Sequence, residues 1–216
     1  MVYLSGHEQD QPARIDELET RRVLLLLAQG FEDAEAVCAL DVLGWTKYRP
    51  SVATVSVEIA GMRERVTGAF GTTFDTCALI DEVDSMRYDG LVVPGGFHNL
   101  GYDEIYDERV HELARRLRML ECPIATMCVG ILPIAEAGLL KGGHATTYSF
   151  SSRHDNRGRL AEFGCKPLDE PVVDWNGIIS CSGPAYSEQV MHLFLEKLVG
   201  PSAASEVARY RRGVSL

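Results

Sequence analysis

This sequence contains few long apolar stretches. The longest apolar run, residues 23–28, is far shorter than the roughly 18 apolar residues that a membrane-spanning helix needs. The first twenty residues have neither the basic start nor the apolar centre of a secretory signal. We therefore expect a cytoplasmic protein without a membrane partner.

Positive charge is also scarce. The chain has 21 Lys and Arg residues against 31 Asp and Glu residues, for a formal net charge of −10. Such an acidic chain would be repelled by nucleic acid phosphates and by anionic lipids. The arginines within residues 109–118 and 209–212 are interpreted as solvated helix faces. No nucleic acid partner is expected.

The cysteines lack the spacing of a disulfide framework or a metal site. No two of them form a CxxC pair, and none shows a cysteine–histidine ligand spacing. In a cytoplasmic chain this pattern favours free thiols. We expect no metal and no cofactor. The six cysteines are Cys38, Cys77, Cys122, Cys128, Cys165 and Cys181.

The apolar fraction of 46% is enough for a buried core in one α/β domain. Strands are predicted at residues 22–28, 51–57, 88–94, 123–127, 172–173 and 178–181, with a small hairpin within 61–76. Helices are predicted at residues 32–45, 107–121, 131–137, 152–162 and 187–198. This alternation predicts a parallel sheet with right-handed crossovers. Residues 21–200 would form the domain, 1–20 a flexible arm, and 201–216 a tail or short helix.

Cys128 lies where a predicted strand turns into a helix, with Gly130 two residues later. Sites in open α/β sheets form beyond the carboxyl ends of the strands, and a nucleophile on such a turn needs small neighbours. The positive end of the following helix should lower the thiol pKa below about 8.5 and stabilise a thiolate. The alternative is a small, buried, apolar cysteine.

Glu35 is the second candidate. Cys38 and Ala39 lie three and four residues further along an apolar helix, so the carboxyl should be partly buried and its pKa raised. A protonated Glu35 could donate a hydrogen bond to a thiolate or carry a proton during catalysis. The alternative is a first-turn partner for the helix dipole, a role that Glu32 and Asp33 already fill.

Pro94, Gly95 and Gly96 directly follow a buried strand. Consecutive glycines leave backbone N–H groups free to point at an anion, as in an oxyanion hole. From this segment alone, a plain turn fits equally well.

Together, these segments resemble the ThiJ/PfpI family, which includes the parkinsonism-associated deglycase and belongs to the class I glutamine amidotransferase-like superfamily. The matching motifs are AQGFEDAE (28–35), VVPGG (92–96), ATMCVG (125–130), ATT (145–147) and SGP (182–184). The resemblance implies a flavodoxin-like three-layer α/β/α sandwich with a mostly parallel central sheet, assembled as a homodimer. Cys128 matches the reactive cysteine of the family and Glu35 its buried glutamate. Gly95 and Gly96 match the oxyanion donors, to which the N–H of Val129 is added.

The histidines depart from the family pattern. Protease-like members have His where this chain has Val129, and deglycase-like members have His where it has Tyr148. His98 and His154 are the auxiliary candidates, and Tyr148 could donate a hydrogen bond to substrate. A Cys–His–acid protease mechanism is therefore disfavoured, while the pair of Cys128 and Glu35 is complete.

The leading functional hypothesis is a cysteine-dependent enzyme that acts on small reactive carbonyls, as in glyoxalase or deglycase chemistry. The Cys128 thiolate would attack an aldehyde carbon while Glu35 moves the proton. The alternative is a redox-sensing or stress-protective protein in which an oxidant converts Cys128 to sulfinic acid. Two further alternatives are an intracellular cysteine peptidase and a decayed site in a domain that only mediates assembly.

Overall fold

A seven-stranded sheet forms the centre of the computed structural model, which describes residues 19–150 and 154–213. In chain order its strands are β1 (Arg21–Leu27), β2 (Val55–Gly61), β5 (Ala78–Leu79), β6 (Gly90–Val93), β7 (Ile124–Thr126), β10 (Val172–Trp175) and β11 (Ile178–Cys181). They are arranged as β10-β11-β7-β6-β1-β2-β5. Every neighbouring pair is parallel except β10 and β11, which are antiparallel. Two small pairs lie outside this sheet: β3 (Arg65–Thr67) with β4 (Thr73–Asp75), and β8 (His144–Ala145) with β9 (Lys166–Pro167).

Helices cover both faces of the sheet. They are α1 (Asp33–Gly44), α2 (Glu108–Met119), α3 (Ile131–Glu136), α4 (Asn156–Glu162), α5 (Ser187–Val199) and α6 (Pro201–Arg211). Alternate residues of β1 enter different core clusters, with Leu24 and Leu26 in one and Leu25 and Leu27 in the other. The first cluster includes residues of α2, α3 and α4, and the second includes residues of α1, α5 and α6. Both faces of β1 are thus buried, which explains its unbroken apolar sequence and confirms the predicted α/β class.

Some elements begin or end away from their predicted limits. The second strand was expected from residue 51 but begins at Val55, because the N–H of Val52 donates to the Arg49 carbonyl and closes a turn there. The hairpin expected within residues 61–76 is confirmed by the antiparallel pairing of β3 and β4. Helix α4 begins at Asn156, after the cap formed by Asp155. The predicted start of this helix at residue 152, residues 1–18 of the expected arm, and residues 214–216 lie outside the described residues.

Strands β1, β6 and β7 lie side by side and run in the same direction. Their carboxyl ends therefore meet at one edge of the sheet, which is where the three candidate segments follow them in the chain. In the two stretches that the structure describes, no helix combines the length and the apolar character needed to cross a bilayer.

Candidate active site

The Gly-Gly loop is bonded directly to the segment that contains Glu35. The N–H of Glu32 donates to the Gly95 carbonyl at 2.8 Å, and the N–H of Phe97 donates to the Gly30 carbonyl at 2.8 Å. An isolated antiparallel bridge between Phe31 and Gly96 results. Two loops from different strands are thereby held in one position beside β7.

Cys128 occupies a strained position on the turn after β7. Its φ of 52° lies in the left-handed region, which costs a non-glycine residue on the order of 1 kcal/mol or more. Gly130 closes the turn by donating its N–H to the Met127 carbonyl at 2.8 Å. The hydroxyl of Thr147 donates to the Cys128 carbonyl at 2.8 Å. The ATT motif therefore holds the backbone of the cysteine in place.

Glu35 is completely buried, with an exposed fraction of 0%. Its Oε2 accepts a hydrogen bond of 2.6 Å from the N–H of Gly95, while its Oε1 has no partner among the described residues. Burial raises the pKa of this carboxyl from 4.5 to about 8, against the lowering effect of the Gly95 N–H and with a further increase from Glu32. The expectation of a buried carboxyl with a raised pKa is confirmed.

The expected direction of the Cys128 pKa was wrong. Burial raises the pKa of the thiol, the carboxylate of Glu35 raises it further, and the N–H of Val129 lowers it too little to compensate. Residues 128–130 form a single 3-10 turn, and the helix α3 that follows has only six residues. The positive end of this helix is therefore weak. The resting thiol therefore keeps its proton near neutral pH.

Gly95 does not serve as the oxyanion donor that the motif suggested, because its N–H is bonded to Glu35. A Cβ placed on Gly95 would lie 2.8 Å from the Cβ of Cys128 and 3.1 Å from Oε2 of Glu35, so this glycine lies against both side chains. The N–H of Gly96 donates to no acceptor in the described parts of the chain. The N–H of Val129 faces the sulfur of Cys128. The remaining candidate oxyanion donors are thus Gly96 and Val129.

A pocket of about 840 Å³ has Cys128 in its wall. Glu35 and Gly95 are buried and do not line it. Six other predicted site residues do line it: Gly96, His98, Cys128, Val129, Tyr148 and His154. Nowhere in residues 19–150 or 154–213 do three or more His, Cys, Asp or Glu side chains gather as metal ligands would.

The three auxiliary candidates, His98, Tyr148 and His154, all line the pocket. The Nδ1 of His98 lies 2.6 Å from Oδ1 of Asp103, and its ring stacks on Tyr106 at a centroid distance of 5.9 Å. A neutral His98 would therefore keep its proton on Nδ1 and present Nε2 as an acceptor. Tyr148 is 37% exposed and stacks on Phe150, and His154 lies in the pocket wall.

The sequence interpretation missed part of the pocket wall. Phe70, Phe97, Asn156 and Arg159 all line the pocket. An aromatic residue between Gly68 and Gly71 was the available sequence signal for Phe70. Its loop is held by Asp33, whose carboxylate accepts the N–H of Phe70 at 2.9 Å and the N–H of Thr72 at 2.7 Å. Nothing in the local sequence distinguished Arg159 from the other arginines.

Known proteins resemble this chain in both sequence and structure. A model of the DJ-1/PfpI family matches residues 21–197. Deglycase TK1284 of Thermococcus kodakarensis is 33% identical over 162 residues, which cover 74% of this chain and 89% of that protein. Deglycase PfpI of Pyrococcus furiosus is 31% identical over 161 residues, with coverage of 74% and 89%. The crystal structure of Drosophila melanogaster DJ-1beta superposes with a TM-score of 0.76 at 23% identity, over 91% of this chain and 100% of that one. This last likeness confirms the expected flavodoxin-like fold.

Proposed function

This chain belongs to the DJ-1/PfpI family, and we propose that it is a cysteine-dependent enzyme acting on small reactive carbonyls through Cys128 and Glu35. Relatives named deglycases support a hydrolase or lyase type of reaction. The observation that carries the proposal is the setting of Cys128. It combines a strained turn, an open pocket and a buried carboxyl with an unpartnered oxygen.

The first step is addition of the thiol to an aldehyde carbon. The S–C bond forms as the π bond of the carbonyl breaks, and the oxygen takes the electron pair. The N–H groups of Gly96 and Val129 stabilise that oxygen. Because the resting thiol is protonated, a base must take its proton. Ionised Glu35, with a pKa of about 8, is a stronger base than an ordinary carboxylate, and it then gives the proton to the oxyanion.

With methylglyoxal as substrate, the same carboxyl completes the reaction. Glu35 removes the proton from the former aldehyde carbon of the hemithioacetal and returns it to the neighbouring carbon, which leaves a thioester on Cys128. Water then attacks the thioester, releasing lactate and restoring the thiol. One water is consumed, and no external oxidant or reductant is needed.

The test is consumption of methylglyoxal by the pure protein. Cys128→Ser should abolish turnover, and Glu35→Gln should lower it by about 10²- to 10⁴-fold. Cys77→Ser is the matched control, because Cys77 is exposed and does not line the pocket. Wild-type activity should increase with pH toward about 8, as Glu35 ionises. Unchanged turnover in Cys128→Ser would eliminate the proposal.

A second candidate function is stress protection by oxidation of Cys128 to sulfinic acid. The unpartnered Oε1 of Glu35 supports it, because a protonated carboxyl there could donate a hydrogen bond to a sulfinate oxygen. The raised pKa of Cys128 weakens it, since oxidation requires the thiolate. Intact-mass and peptide analysis after mild peroxide should show two oxygens added to Cys128 first. Equal oxidation of all six cysteines would count against this function.

We also propose that the protein acts as a homodimer in the cytoplasm, on the basis of the family resemblance and the free thiols. Analytical ultracentrifugation measures the mass directly, and a monomer at micromolar concentration would contradict the dimer. Fractionation of cells that express the tagged chain tests the location.

A further inference from the structure

Arg159 is a cation in the wall of the Cys128 pocket that forms no ion pair within the described residues. It lies on α4, is half-buried, and packs over the ring of Tyr106 with its guanidinium carbon 5.1 Å from the ring centroid. The guanidinium also interacts with the Tyr106 hydroxyl. Because it carries five N–H donors, it remains able to bind an oxyanion in the bidentate manner typical of arginine.

The carboxylates in the same wall have other partners. Glu32 caps α1 by accepting the N–H groups of Ala34 and Glu35. Asp155 caps α4 by accepting the N–H of Gly158 at 2.9 Å. Both carboxylates therefore offset the positive ends of helices, and neither pairs with Arg159.

Arg157, two residues earlier on α4, differs from Arg159 in its ion pairing and in its position relative to the pocket. Its guanidinium pairs with the carboxylate of Asp169, and it does not line the pocket. Of these two arginines on one short helix, Arg157 is paired with an acid, whereas Arg159 has no ion-pair partner in the described residues and lines the same pocket as Cys128.

We propose that Arg159 forms an anion-binding subsite, so that the preferred ligand is an aldehyde or ketoaldehyde that also bears a carboxylate or phosphate. The volume of about 840 Å³ supports a ligand larger than a simple dicarbonyl, which would fill only a small part of it. The assignment of a carbonyl ligand rests on the proposed function, whereas the anion subsite itself stands on the charge and position of Arg159.

The subsite can be tested without any enzymatic turnover. Iodoacetate and iodoacetamide are similar in size and leaving group but differ in charge. Each alkylates a thiolate, forming an S–C bond as iodide leaves, so the ratio of their rates at Cys128 cancels any change in the thiol pKa. The rates are measured by mass spectrometry of the peptide containing Cys128.

Arg159→Gln should lower the ratio of iodoacetate to iodoacetamide rates by about three- to tenfold, as expected for loss of a nearby half-buried cation. Arg157→Gln, the matched control on the same helix, should leave the ratio unchanged. Arg159→Lys should preserve most of the wild-type ratio. Added salt should lower the ratio in the wild type but not in Arg159→Gln. A ratio that is the same in the wild type and in folded Arg159→Gln would overturn the proposal. If Arg159→Gln does not fold, a salt-independent ratio in the wild type would do so.

Protection of Cys128 from iodoacetamide then identifies the anion. Glyoxylate carries a carboxylate, glyceraldehyde 3-phosphate carries a phosphate, and methylglyoxal is neutral. At least one of the two anionic aldehydes should protect at a several-fold lower concentration than methylglyoxal, and Arg159→Gln should remove that advantage. Equal protection by all three would refute the ligand class. An Arg159-dependent alkylation ratio without methylglyoxal turnover would instead refute the proposed function and leave the subsite intact.

Discussion

Replacing Glu35 by glutamine is expected to stabilise the folded protein at neutral pH while it lowers activity. Glu35 is fully buried, and burial is the main cause of the rise in its pKa from 4.5 to about 8. Glutamine has nearly the same shape, can still accept the N–H of Gly95, and never ionises. The substitution therefore isolates the free energy of keeping an ionisable group in this position.

The magnitude follows from the linkage between proton binding and folding. Below pH 4.5 the carboxyl is protonated in both states, so its contribution to stability is fully retained. As the pH rises, the unfolded chain releases the proton while the folded chain keeps it, which destabilises the fold by about 1.4 kcal/mol per pH unit. The loss reaches about 3 kcal/mol at pH 7 and levels off above pH 8, where both states are ionised.

Urea denaturation at pH 4.5 and pH 7 tests this prediction. Glu35→Gln should be about 3 kcal/mol more stable than the wild type at pH 7 and nearly equal to it at pH 4.5. Glu112→Gln is the control, because that carboxylate is 52% exposed in a surface pair with Arg116 and should matter by at most about 0.5 kcal/mol. A Glu35→Gln variant that is no more stable than the wild type at pH 7 would refute the reasoning.

Two further substitutions test the structural framework of the site. Gly130→Ala should destabilise the fold by about 2 kcal/mol or more, because its Cβ would lie 2.3 Å from the carbonyl oxygen of Val93. Gly44→Ala, where no atom lies within 4 Å, should instead stabilise it slightly, and thermal unfolding compares the two. Asp33→Asn should cost about 1–3 kcal/mol and expose the Phe70 loop to faster proteolysis, since a charged acceptor of two backbone N–H groups is lost. Cleavage within that loop at the wild-type rate would contradict the anchoring role.

The raised pKa of Cys128 changes the expected chemistry of the site. A thiol that keeps its proton reacts slowly with peroxide and with alkylating agents until a base removes the proton. In the proposed mechanism the buried carboxyl of Glu35 does this, so the reactivity of Cys128 is expected to depend on the ionisation of Glu35. Carbonyl addition, which needs a proton donor and a proton acceptor in succession, fits this arrangement better than direct oxidation.

Much of the fold follows from local patterns in the sequence. The apolar run in β1 predicted a strand buried on both faces, because alternate side chains of such a strand must both meet apolar neighbours. The order of strands and helices then placed the ends of β1, β6 and β7 at one edge, since parallel strands end together. The burial of Glu35 followed from its small apolar neighbours, Cys38 and Ala39. These features depend on residues close together in the chain, so spacing alone predicts them.

Only the tertiary structure determines which groups contact the site residues. The N–H of Gly95 was expected to face a substrate, yet it binds a carboxylate 60 positions away in the chain. The pKa of Cys128 rises because burial and Glu35 outweigh a short helix end, a balance that depends on distances between separate elements. Arg159 enters the pocket while Arg157 pairs at the surface, although the two are neighbours on one helix. Sequence spacing determines the face and the strand end on which a residue lies, whereas hydrogen-bond partners and proton affinities depend on contacts between distant segments.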